Sequence, residues 1–191
     1  MRGAVNAAAV PIAKVAGVAV AWDGLFKLNS IAFSYLAHSP RAHWIFLPAA
    51  LRVIAVLALG ELGAVGLMVG AYLTLPHIQT ADFPYELLLS VSSGLAPLVA
   101  VGLGQRILMF GADLSGLRGK HIILLSVASA LANSIAVNGC MAIADRWHHD
   151  VEQIATIFFG DMFGTAIVLT IVSLGLKIWM QGTLKVKKGA S

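Results

Sequence analysis

The sequence predicts an all-α fold: a polytopic transmembrane helical bundle of about six spans, forming one integral membrane domain over residues 1–191. Three observations carry this expectation. Hydrophobic residues make up 59% of the chain and charged residues only 12%, where an ordinary soluble domain is roughly a quarter charged. Mean hydropathy is +0.86. Apolar runs recur between breakers at close to the length of about 20 residues that a hydrocarbon core about 30 Å thick requires of a helix. Lipid must therefore be the main solvent, and no length remains for a separate soluble domain.

The spans fall near 14–37, 44–59, 62–75, 85–110, 121–144 and 153–180. In the first, two apolar halves flank Asp23. They read as one helix ending before His38-Ser39-Pro40, with the residues before Lys14 at the inner surface. The start does not read as a signal peptide, because its apolar stretch runs past any h-region without a cleavage site; the N-terminus is expected to be retained. Spans two and three are short and meet at Gly60-Glu61-Leu62-Gly63. A turn that brief joins only antiparallel neighbours, so a tight helical hairpin is expected.

Lys and Arg accumulate on the cytoplasmic side of membrane proteins, which orients the bundle. The tail residues Lys177, Lys185, Lys187 and Lys188, the loop 111–120 with Arg118 and Lys120, Arg106 and Arg2 all fall on one side. That places both termini in the cytoplasm and leaves 38–43, 76–84 with Asp82, and 145–152 outside. The net charge of +4 and isoelectric point near 9.5 are accounted for by these residues facing anionic lipid, and do not call for nucleic acid as a partner. Cys140 is the single cysteine, which excludes an internal disulfide or a Cys-based metal cluster and reads as a small buried hydrophobe.

Ionisable groups inside spans are costly, and they ordinarily face the bundle interior or a cavity. At 1.5 Å per residue, Arg52 and Asp161 each lie roughly 12 Å below the outer ends of their spans. They can therefore meet, either as an ion pair that fixes helix packing or as a ligand site. Asn138, roughly 9 Å down span five, is at a depth to join them. Asn133 and Asn138, with Ser126, Ser129 and Ser134, give span five a polar face suited to interhelical hydrogen bonds or to lining a pocket. Asp23 and Lys27 are four residues apart and share a helix face, where they neutralise each other. Gly60-x-x-Gly63-x-x-Gly66-x-x-x-Gly70 and Gly160-x-x-x-Gly164 permit close helix approach.

His148 and His149, flanked by Asp145, Asp150 and Glu152, form the cluster most like a metal site. Adjacent histidines point apart on a helix, however, and the expectation is a solvated loop with no metal. Gly102-Leu103-Gly104 is not a phosphate loop, since no strand precedes it and no Lys-Ser/Thr follows. Metalloprotease, nucleophile-elbow, kinase and cyclase motifs are absent. No enzymatic activity is expected, and the residues name no cofactor.

Two stretches resemble the bacterial membrane-associated sensor domain family, the first of the MASE types. One is His43-Trp44-Ile45-Phe46-Leu47-Pro48-Ala49-Ala50-Leu51-Arg52, followed by an apolar run to Gly60 and then Gly66-Leu67-Met68-Val69-Gly70-Ala71-Tyr72-Leu73. The other is Phe158-Phe159-Gly160-Asp161-Met162-Phe163-Gly164, similar to the family's Gly-Asp-x-x-Gly in its last helix. The loop Leu114-Ser115-Gly116-Leu117-Arg118 has a comparable place. The resemblance covers about residues 15–180. Ala50 stands where a glycine is common, and the proline expected after Gly-Asp-x-x-Gly is missing from 165–178.

The resemblance implies a multi-pass protein of the bacterial inner membrane. In that family the membrane domain usually precedes a histidine kinase, diguanylate cyclase or phosphodiesterase and is thought to sense a signal in or across the membrane. No such output module follows in this sequence, so signalling is expected to pass to a separate partner protein in the membrane or cytoplasm. The candidate ligand-binding or signal-responsive core is Arg52, Asp161, Asn138, Asn133 and Trp44, with a small molecule as a candidate ligand. Two other roles fit a six-helix chain of this size. One is the substrate-binding subunit of a small-solute transporter, similar to the vitamin-binding components of energy-coupling-factor systems. The other is an accessory or scaffold subunit of a membrane complex.

Overall fold

The computed structural model describes residues 2–39, 42–75, 83–111, 113–146 and 151–189. Six helices follow one another among them: α1 (Arg2–Phe33), α2 (Ala49–Leu59), α3 (Glu61–Thr74), α4 (Phe83–Leu108), α5 (Gly119–Ile143) and α6 (Val151–Gly189). A single 3-10 turn, Ser34–Leu36, extends α1 into an antiparallel ribbon of β1 (Ala37–Ser39) and β2 (Ala42–His43). The His148, His149 and Asp150 cluster and Asp82 lie outside the described residues, as do the side chains of Arg2, Lys185, Lys187 and Lys188.

Four stretches are long and apolar enough to cross a membrane: Ala9–Leu36, Phe83–Leu108, Gly119–Ile143 and Val151–Met180. The protein is an all-α, multi-pass membrane bundle. In lipid every backbone polar group must be satisfied internally, which is why the long elements are helical. Hydroxyl side chains obey the same requirement by donating back to their own helix, as Ser92 Oγ does to the Leu89 carbonyl at 2.7 Å and Ser126 Oγ to that of Ile122 at 2.8 Å.

Spans four to six begin and end close to where apolar length puts them. The first does not. α1 is helical from Arg2 and its apolar stretch starts at Ala9, so Lys14 lies within it. Spans two and three also differ from expectation. α2 has 11 residues and α3 has 14, about 16 and 21 Å at 1.5 Å per residue, and neither helix alone reaches across about 30 Å of hydrocarbon. They do form a hairpin, but its turn is Gly60 alone, with φ 58° and ψ −129°. A Cβ is not tolerated in that conformation, and with it the chain reverses in one residue. An added Cβ on Gly63 would overlap the Ala55 carbonyl, which shows how closely the two arms lie.

Successive contacts fix helix directions. Val18 packs on Gly66 and Trp22 on Gly70, so α1 and α3 run parallel. Gly94 lies on Ala64 and Phe83 on Tyr72, so α3 and α4 are antiparallel. Gly104 meets Leu125 while Cys140 Sγ lies 3.8 Å from the Leu88 carbonyl, which makes α4 and α5 antiparallel. Ser134 Oγ donates to the Ile154 carbonyl at 2.8 Å, joining α5 to an antiparallel α6. Asp23 and Lys27 pair locally at 2.7 Å on the exposed side of α1, and Cys140 is buried. From 170 to 180, α6 is exposed on every side.

Candidate functional site: a buried ion pair beside a cavity

Between β2 and α2 the chain leaves the helical conformation over residues 44–46 and turns at Leu47 and Pro48 into α2. Non-helical backbone at membrane depth is tolerated only where protein buries it and satisfies its polar groups, and each neighbour contributes. The Trp44 N–H donates to the Leu36 carbonyl at 3.0 Å, the Phe46 N–H to the Gly160 carbonyl at 3.0 Å, and the Leu47 N–H to Asn29 Oδ1 at 2.9 Å. Pro48 then opens α2, where its lack of an N–H costs nothing. Gly160 and Gly164 make this seat. A Cβ on the first would overlap the His43 carbonyl, and one on the second the Phe46 carbonyl. The small-residue pattern on α6 thus admits a non-helical stretch of backbone, where sequence spacing suggested a second helix.

The next residue after Gly160 receives the charge. Arg52, on the first turn of α2, reaches Asp161 with Nη1 2.5 Å from Oδ2. The same carboxylate oxygen accepts from Asn133 Nδ2 of α5 at 2.8 Å. Arg52, Asp161 and Asn133 are 4%, 3% and 1% exposed, so the pair is desolvated and needs these hydrogen bonds to offset that cost. The guanidinium carbon also lies 5.3 Å from the ring centroids of both Trp22 and Phe46, where the π faces favour a cation. Trp22 is held in turn by its Nε1–H, which donates to Thr74 Oγ1 at 3.1 Å.

Beside this cluster is a cavity of about 80 Å³, lined by Arg52, Asp161, Asn133, Trp22, Phe26 and Phe46 among others. A buried water needs about 10–15 Å³ of such space, so there is room for several waters or a molecule of a few heavy atoms. Arg52 Nε, a donor, and Asn133 Oδ1, an acceptor, are buried and find no hydrogen-bond partner among the described residues. Leaving such atoms unpaired costs about 1–3 kcal/mol each. The arrangement suits a small polar guest that accepts one hydrogen bond and donates another, against aromatic walls.

Arg52, Asp161 and Asn133 are thus brought together as their depths allow. Asn138 is not part of the cluster. It lies five residues nearer the C-terminal end of α5, about 7.5 Å by helical rise, and donates to the Ser134 carbonyl at 2.8 Å while accepting from Gln153 Nε2 at 3.3 Å. Trp44 is 37% exposed. It is not among the residues that line the cavity, although its neighbours His43 and Phe46 are. Asn29, buried at 2% exposure, was missed by sequence reasoning, although an amide inside an apolar run is a signal in itself. Among the described residues no three His, Cys, Asp or Glu side chains gather to hold a metal ion. Compared with protein-family models, curated proteins and solved structures, the chain matches none.

Proposed function

We propose that this chain is a membrane-embedded sensory or ligand-binding module that acts through a separate partner protein and carries no catalysis of its own. The observation supporting it is the cavity whose wall holds the buried Arg52–Asp161 pair and two unpartnered polar atoms, Arg52 Nε and Asn133 Oδ1. The resemblance to the first MASE type of sensor domain points the same way. In this reading α2 and α3 complete six passes, the non-helical residues 44–48 supplying the length that α2 lacks. Both termini are then cytoplasmic, in a bacterial inner membrane.

A guest that binds differently to two arrangements of the pair shifts their populations. Asp161 sits on α6, which seats the non-helical segment at Gly160 and Gly164 and runs on past the other helices as an exposed rod. A displacement at the cavity therefore moves a helix whose exposed length is available to a partner in the membrane or cytoplasm. Native mass spectrometry of gently extracted protein tests this. The expected result is a retained small molecule that Asn133→Leu releases. Wild-type protein emerging at its bare mass, with spin-label distances from Val172 to the bundle unchanged by Asp161→Asn, would overturn the reading.

A further inference from the structure

On the far side of the bundle from the ion pair, a groove of about 580 Å³ runs between α4 and α5. Its base is made of small residues, Ala100, Gly104, Ala128 and Ala132, and its rims of large exposed ones, including Leu103, Ile107, Leu124 and Leu131. No charged residue lines it. From Leu124 to Ile135 it extends about 17 Å along α5 at 1.5 Å per residue, close to half of a hydrocarbon core about 30 Å thick. That is the depth of one leaflet.

One end of the groove is basic. Arg106 adjoins Ile107 on α4, Lys120 lies one turn before Leu124 on α5, and Arg118 precedes that helix; all three are exposed. On a helical projection Arg106 falls beside Leu103, and Lys120 beside Leu124, on the lips that face lipid. The one acidic residue between them in sequence, Asp113, has its carboxylate engaged by Ser115 Oγ at 2.6 Å and Ser115 N–H at 3.1 Å, which holds its pKa below the ordinary value. Basic charge is in excess where the groove meets the membrane surface.

We propose that the groove seats an acyl chain of an anionic phospholipid, with the phosphate held between Arg106 and Lys120. A wholly apolar channel one leaflet deep, ending at two cations, matches the two halves of such a lipid. A second copy of this chain is a poorer occupant. A two-fold pairing through the groove sets the same surface against itself, bringing Arg106 and Lys120 against their own copies, where like charges repel.

The test offers delipidated full-length protein an equimolar mixture of phosphatidylglycerol and chain-matched phosphatidylcholine, and counts adducts by native mass spectrometry. Near a membrane surface each basic residue is worth about fivefold in affinity for anionic lipid, so the expected preference for phosphatidylglycerol is roughly thirtyfold for two. Arg106→Gln with Lys120→Gln, both at exposed positions, brings the preference toward parity. Ala128→Phe, which fills the base of the groove, removes the adduct of either lipid. Equal retention of the two lipids by wild type would overturn the proposal, as would an undiminished adduct in Ala128→Phe. So would a wild-type dimer that Ala128→Phe dissociates, which would make the second copy the occupant.

Discussion

Arg52 and Asp161 lie 109 positions apart in sequence and share a buried hydrogen bond of 2.5 Å. The residue beside Asp161 explains how they meet. Gly160, immediately before Asp161, lacks the Cβ that would collide with the chain leading into α2. The ion pair and the seat of the non-helical segment are therefore one device, and its parts respond differently to substitution.

Breaking the pair from one side leaves a buried charge without its partner. Asp161→Leu or Arg52→Leu is expected to cost about 3–5 kcal/mol, while the double substitution recovers much of the loss. Thermal unfolding in detergent, arranged as a double-mutant cycle, measures the coupling. Strictly additive losses would show that the two charges are independent.

Gly160→Ala and Gly164→Ala each place a Cβ against a backbone carbonyl that cannot rotate away. A loss of about 1–3 kcal/mol or more is expected from overpacking. Gly102→Ala, in a helix where nothing lies within 4 Å of the new atom, serves as the control and should be neutral or slightly stabilising. Equal effects at all three positions would mean that close approach is not what the α6 glycines provide.

Asn29→Leu removes the acceptor of the Leu47 N–H at a site shielded from water. An orphaned buried donor costs about 1–3 kcal/mol. Hydrogen exchange should show the Leu47 amide losing protection before those of α2. Unchanged protection there would indicate that water or another group takes the acceptor's place.

The alternation of helix directions makes a further prediction about sidedness. With Cys140 replaced by Ser, single cysteines at Ser39 and at Glu61, beside the turn between α2 and α3, should react with a membrane-impermeant thiol reagent from opposite sides of a sealed vesicle. Labelling from the same side would remove α2 and α3 from the count of passes.

The site was partly legible before any coordinates. An arginine, an aspartate and asparagines within apolar runs are expensive in hydrocarbon, so their presence alone marks an interior, and helical rise put Arg52 and Asp161 at matching depths. Rise pointed to Asn138 where the structure uses Asn133, because both lie on the polar face of α5 and the choice between them depends on helix tilt and offset. Trp44 shares a motif with Arg52, yet sequence adjacency does not say which way a side chain points along non-helical backbone.

What the sequence determined by itself was the solvent and the element type: 59% hydrophobic content and runs of spanning length compel helices that satisfy their own backbone in lipid. Tertiary structure alone decided that residues 44–48 abandon the helix. Their N–H groups find acceptors on Leu36, Asn29 and Gly160, partners that come from the 3-10 turn, α1 and α6, the last of them more than a hundred residues away along the chain. Local propensity cannot register a carbonyl more than a hundred residues distant, and it is that carbonyl, exposed by a glycine, that allows α2 to begin where Arg52 can reach Asp161.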